Sequence, residues 1–287
     1  MTDNVMGLNQ PAVPPVLPES RQADPPRVGR WALAGLVIGA FIAVQIAVFL
    51  PVAFAIAAAD PLMAQGEYQA ALEAFLSSDE GLLLTVLAAA LAGLTTVLMS
   101  FSWPWLWNRV SRGPRFNAGD WLAWRPPDRL PLWLVPLVTV PLLLTVAFGV
   151  TTVFGESQVD EQILLFSSPL LRVVSALVVS FIAPLAEEVV FRGALYNALL
   201  LPRAAHGRGW ERHIVAFVVT SLVFAAMHFF AGFDRLGSIL MITVFSLYLT
   251  ALRAYTGSVQ PSVVAHMVWN MIGSAALILA NLTGATP

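Results

Sequence analysis

The chain has 287 residues, of which 58% are hydrophobic and 11% charged, with a formal net charge of -2 and a mean hydropathy of +0.76. Soluble domains carry about 25% charged residues, so this composition excludes a soluble globular protein and predicts an all-α, polytopic transmembrane helical bundle. There is no cysteine, which excludes disulfides, thiolate catalysis and cysteine-ligated metal, and every one of the 15 basic residues is arginine.

From Met1 to Arg30 the sequence is polar and proline-rich (Pro11, Pro14, Pro15, Pro18, Pro25, Pro26), with too little apolar content to offset the entropy of ordering it. Residues 1–30 are therefore expected to be a disordered cytoplasmic tail. The first apolar run starts at Trp31 and extends to about Ala59. That is well beyond the ~7 to 15 residues of a signal-peptide core, so it reads as a membrane span. Further runs are Leu82 to Trp107, Leu130 to Phe154, Leu170 to Leu201, Ile214 to Phe230, Leu236 to Leu252 and Val259 to Leu279. Seven spans are predicted, or eight if the Leu170 to Leu201 run breaks at Pro184, and no internal repeat is evident.

Orientation follows from the arginines, because basic residues near span ends are held on the cytoplasmic side. The tail holds Arg21, Arg27 and Arg30; the second loop Arg109, Arg112, Arg115, Arg125 and Arg129; the fourth Arg203, Arg208 and Arg212; the sixth Arg253. The intervening loops are acidic, with Asp60, Glu67, Glu73, Asp79 and Glu80 after the first span and Glu156, Asp160 and Glu161 after the third. A cytoplasmic N-terminus is the consistent solution. Phe116, Trp121 and Trp124 lie among the arginines of the second loop, which suits either a segment lying on an anionic headgroup surface or an ordinary basic cytoplasmic loop with interfacial aromatics, and no chemistry is assigned to it. The bilayer is the expected environment, and no nucleic-acid partner is expected.

The stretch Ala183-Pro184-Leu185-Ala186-Glu187-Glu188-Val189-Val190-Phe191-Arg192 places two carboxylates and an arginine in one of the most apolar runs. Ionisable groups at such positions cost ~3 kcal/mol each on insertion scales and are usually retained for function. On a helix, Glu188 and Arg192 stand four apart in the favourable order for an ion pair, which leaves Glu187 over. His228 closes the run Phe224-Ala225-Ala226-Met227-His228, and His266 and Asn270 stand four apart on one helical face. Each of these has a bland reading as a helix-to-helix hydrogen-bond partner or a buried packing pair. Together they concentrate the strongly polar interior groups on three helices, which favours one shared site. Depth supports the sharing. If the glutamate helix continues to Arg203, Glu187 lies ~24 Å from its cytoplasmic end, matching His228 about sixteen residues after Arg212 at 1.5 Å per residue. His206 and His213, in the arginine-rich loop, are expected to be solvated.

The ordered set Glu187-Glu188-x-x-x-Arg192, Phe224-x-x-x-His228 and His266-x-x-x-Asn270 resembles the three motifs of the CPBP family of intramembrane proteases. That family includes the type II CAAX prenyl endopeptidases and bacterial proteins linked to bacteriocin self-immunity. The resemblance covers roughly Pro169 to Asn281 and leaves residues 31–168 as accessory helices and loops. It implies an intramembrane endopeptidase acting on a membrane-bound or lipidated peptide, in a bacterial inner membrane. It further implies that Glu187 and His228 activate a water, that His266 and Asn270 stabilise the oxyanion, and that Glu188, Arg192 and Phe224 stand behind them. Residue chemistry is consistent with that division, since a carboxylate can act as a general base and an imidazole and a carboxamide can donate to developing negative charge. Many family members are named metalloproteases, and Glu187, His228 and His266 would be the ligands of a zinc ion; the sequence is compatible equally with a metal-free, glutamate-dependent mechanism.

Rival intramembrane mechanisms leave no trace. There is no His-Glu-x-x-His, no Gly-x-Ser-x-Gly or Gly-x-Ser-Gly, and no Gly-x-Gly-Asp. The alternatives from other classes are a proton-coupled transporter using Glu187 and the histidines as a relay, and a non-catalytic membrane scaffold with a polar cluster. The first is disfavoured by the absence of an inverted repeat or of interrupted helices in matching positions, the second by the intact constellation.

Overall fold

A computed structural model describes residues 30–59, 75, 78–110, 117–154, 168–200, 211–230 and 236–283, and among these no strand occurs. The helices are α1 (Arg30–Ala59), α2 (Asp79–Val110), the short α3 (Ala118–Leu122), α4 (Leu134–Phe154), a continuous α5 (Pro169–Leu199), α6 (Glu211–Phe230), α7 (Leu236–Thr256) and α8 (Gln260–Thr283). The expected tail over 1–29 and the loops bearing Glu67, Glu156, Arg203 and His206 lie outside the described residues.

By length and composition α1, α2, α4, α5 and α7 can each cross a membrane, which is five among the described residues rather than seven or eight. The apolar part of α6 is shorter, from His213 to Phe229. The α8 helix runs 24 residues and carries Gln260, Ser262, His266, Asn270 and Ser274. Large apolar side chains such as Leu98, Leu137 and Phe148 are exposed on α2 and α4, an arrangement that lipid tolerates and water would not. Pro51, Pro104 and Pro141 sit inside α1, α2 and α4, as membrane helices allow where local adjustment re-satisfies the freed backbone groups.

The bundle is built around α5. Every residue from Val189 to Leu200 is buried, and the neighbouring helices meet this helix on all sides. Phe41 of α1 packs edge-on against Phe191, with ring centroids 5.8 Å apart. Against α2 the approach is closer still, since a Cβ on Gly93 would lie 2.9 Å from Ile182 Cγ2; small residues at such crossings let membrane helices touch. On another side, Phe224 of α6 packs edge-on against Phe191 at 5.2 Å.

Three expectations are corrected. Pro184 does not divide α5 into two elements. The helix passes through it, widened on either side into π-helical turns over Val178–Ile182 and Val189–Leu195. Arg253 is not a loop residue, because it lies in the last turn of α7 with a fully buried side chain. Trp121 does not rest on a headgroup surface; with Leu122 and Ala123 it is buried in the core beside α5. The reason is a backbone clasp between the segment after α3 and the α7–α8 turn. Val259 N donates to Ala123 O at 3.1 Å, Asp128 N to Thr256 O at 3.3 Å, Ser258 Oγ to Arg125 O at 2.5 Å and Arg125 Nε to Gly257 O at 3.2 Å. Gly257 makes the turn with φ of 66°, a left-handed conformation that suits a residue without a Cβ.

Candidate active site

The i, i+4 spacing of Glu188 and Arg192 does what the sequence predicts. Arg192 NH1 donates to Glu188 Oε1 at 2.9 Å, and neither side chain is exposed at all. The guanidinium is held from three further directions, by Ser246 O at 3.1 Å, Ser246 Oγ at 2.7 Å and Thr250 Oγ1 at 3.4 Å on α7. It also lies 4.2 Å from the Phe224 ring centroid, so α6 supplies a cation–π face. A buried charge pair is tolerable only when its remaining donors and acceptors are satisfied, and for Arg192 they largely are.

Glu188 has a second partner that the spacing could not disclose. Its Oε1 also accepts from His266 Nδ1 at 2.9 Å, while Oε2 has no hydrogen-bond partner. Arg192, Glu188 and His266 therefore form a chain in which the carboxylate fixes the imidazole orientation. With Nδ1 committed to Glu188, His266 turns Nε2 towards Glu187, whose Oε2 lies 3.9 Å away. Glu187 differs from its neighbour in exposure, 24% against none, while its Oε2, like that of Glu188, is buried with no hydrogen-bond partner. A gap of 3.9 Å between two such atoms fits one water hydrogen-bonded to both at ~2.8 Å.

Phe224 ties the remaining histidine to this group. Its ring stacks on His228 at 4.4 Å and stands edge-on to His266 at 6.0 Å. His228 Nδ1 donates to Phe224 O on its own helix at 2.9 Å, which leaves Nε2 as the ring's other polar atom. Phe245 of α7 also packs edge-on against His266, with ring centroids 5.0 Å apart. Asn270 is one turn beyond His266, and its Nδ2 donates to Val179 O on α5 at 2.9 Å. Glu187 and His266 are thus brought together directly, His228 joins through Phe224, and Asn270 contacts the glutamate helix two turns before Glu187.

His213, expected to be solvated, is half-buried and bonded through Nδ1 to Tyr196 OH at 2.7 Å. The sequence reading also missed Arg253, whose Nε donates to Arg192 O at 3.0 Å and whose NH2 donates to Asn197 Oδ1 at 2.7 Å. Its position one residue after an apolar run made it look like a span-end arginine. For a zinc ion the donor set falls short: among the described residues no three His, Asp or Glu side chains stand close enough together to hold one. Of the three residues expected as ligands, Glu187 and His266 face each other, with Oε2 and Nε2 3.9 Å apart.

Residues 169–272 match the family model described as type II CAAX prenyl endopeptidase Rce1-like, which begins at the first residue of α5 and takes in all three motifs. The resemblance carried by those motifs is thereby shown for this stretch. With the apolar helices, it fits an integral membrane protein, one stretch of which is similar to type II CAAX prenyl endopeptidases. Neither the curated proteins nor the solved structures give a match.

Proposed function

We propose that this endopeptidase-like membrane domain hydrolyses a peptide bond in a membrane-associated or lipidated peptide, with Glu187 as the general base. Glu187 takes a proton from a water held in the 3.9 Å gap to His266, the hydroxide adds to the scissile carbonyl, and the proton passes to the leaving amine as the C–N bond breaks. His228, stacked on the Phe224 ring that also borders His266, orients that water. Because Nδ1 of His266 is committed to Glu188, Nε2 carries a proton only in the imidazolium form. The second amide hydrogen of Asn270 donates to the oxyanion, and His266, its ring held by Glu188, donates there through Nε2 when both ring nitrogens carry hydrogen.

The observation that carries the reading is the pairing of a partly exposed, unpartnered carboxylate with an imidazole whose far nitrogen is fixed by a second, buried carboxylate. That arrangement orients a base and a donor towards one point. A relay for protons would instead spread its groups along a path. The test uses the full chain in liposomes with a membrane-anchored peptide. Wild-type protein is expected to release a cleaved product, and Glu187→Ala and His266→Ala to release none while remaining folded. Undiminished cleavage by Glu187→Ala overturns the assignment of the base.

A further inference from the structure

The helix that carries the two glutamates has an unusual ladder of hydrogen bonds. Ala183 N–H, which in an α-helix would bond Val179 O four residues back, bonds Val178 O five back. The next residue is Pro184, which has no N–H to offer. Val179 O is therefore passed over, and the donor it receives is Asn270 Nδ2 at 2.9 Å. The second wide turn repeats the pattern. Tyr196 N–H, the ordinary partner of Arg192 O, reaches Phe191 O and Gly193 O instead, and Arg192 O receives Arg253 Nε at 3.0 Å. A buried carbonyl left without a donor is costly, so each wide turn persists because a side chain from the α7–α8 hairpin completes it. Arg253 is itself fixed, fully buried, by Asn197 Oδ1 at 2.7 Å and by the Tyr196 ring 5.0 Å away.

Between the two completed turns lies Ala183–Glu188, the segment that bears Glu187 and Glu188. We propose that Asn270 and Arg253 are positioning residues that hold these turns open and thereby set the rotation at which the two carboxylates meet His266. The geometry makes the effect large. Closing a wide turn shifts the following segment by one residue, which rotates it by about 100° at 3.6 residues per turn and carries Glu187 and Glu188 off the face that His266 occupies. Asn270 thus acts on the base as well as on the oxyanion, and Arg253 acts without touching substrate. The inference rests on the hydrolytic reading of the site.

Pro184 supplies the test. In Pro184→Ala a new N–H appears at position 184, five residues after Val179, the same separation as the bond from Ala183 to Val178. It can donate to Val179 O and relieve Asn270 of that task. Melting in detergent, and kcat and KM for a membrane-anchored peptide, are measured for Asn270→Ala in the wild-type and Pro184→Ala backgrounds. The expected result is a loss of melting temperature that is several-fold smaller in the Pro184→Ala background, while kcat falls in both backgrounds because the oxyanion donor is gone. Equal melting losses in both backgrounds overturn the clamp. For the second turn, Arg253→Met is expected to lower kcat by on the order of ten- to a hundredfold at unchanged KM, and Arg253→Lys, which keeps one donor, to recover part of it. Wild-type kcat in Arg253→Met overturns the positioning role, and this pair decides the matter if Pro184→Ala fails to fold. If wild type and all variants are inert on every peptide, the hydrolytic reading fails, while the melting comparison still decides whether Asn270 clamps the turn.

Discussion

Replacing Glu188 by alanine leaves Arg192 without its carboxylate in a position with no solvent exposure. Breaking a buried pair by removing one partner costs roughly 3 to 5 kcal/mol. The lower end applies here, about 3 kcal/mol, because Ser246, Thr250 and the Phe224 face continue to hold the guanidinium. That is a large part of a total stability of ~5–15 kcal/mol. Glu187→Ala removes a carboxylate that is partly exposed and whose Oε2 makes no hydrogen bond, so its melting temperature should stay close to wild type. Both variants should be inactive, the first because His266 loses the partner on Nδ1, the second because the base is gone. The double variant Glu188→Leu/Arg192→Met separates the two effects. Removing both charges together is often neutral or stabilising, so melting should recover while activity does not. Thermal melting in detergent and cleavage of a membrane-anchored peptide, on the same preparations, read out both quantities. Equal melting losses for Glu187→Ala and Glu188→Ala, or an active double variant, would refute the division of labour between the adjacent carboxylates.

Gly93→Leu should push α2 off α5, since a Cβ alone would stand 2.9 Å from Ile182 Cγ2; an overpacking cost of about 1–3 kcal/mol should appear as a lower melting temperature. Treatment with a strong chelator should leave cleavage unchanged, because among the described residues no three His, Asp or Glu side chains are grouped to hold an ion; inhibition reversed by added zinc would instead give the ion a place in the reaction. Single cysteines are informative in a chain that has none. One at Ser78 should react with an impermeant reagent from outside the cell and one at Asn117 only after permeabilisation, and the reverse pattern would invert the orientation inferred from the arginines.

The membrane class and the pairing of Glu188 with Arg192 were legible because both depend on local composition and on spacing along one helix. The contact of Glu188 with His266 was not, because 78 residues separate them and nothing local distinguishes a carboxylate with one partner from a carboxylate with two. Depth along the spans brought Glu187 and His228 into one layer but could not say which nitrogen of His266 faces Glu187. Pro184 was recognised as a disturbance of α5; its resolution into wide turns was hidden, because sequence periodicity assumes 3.6 residues per turn throughout. Arg253 and Trp121 mislead for a common reason. Arginine and tryptophan are the usual markers of a span end, and the sequence carries no sign that the α7–α8 turn reaches back to cover them.

The clasp between the segment after α3 and the α7–α8 turn has a consequence for biogenesis. Ala123 O and Arg125 O, and Asp128 N, find their partners on residues synthesised roughly 130 positions later. Until Thr256 and Ser258 have left the ribosome, Asp128 N and Arg125 O lack the partners they have in the finished protein and must stay hydrated, so the end of this segment cannot sink to its final depth as it is made. The first half of the protein therefore waits at the membrane surface for the second, and a nascent chain halted before Thr256 should expose the 117–130 segment to protease that the finished protein excludes.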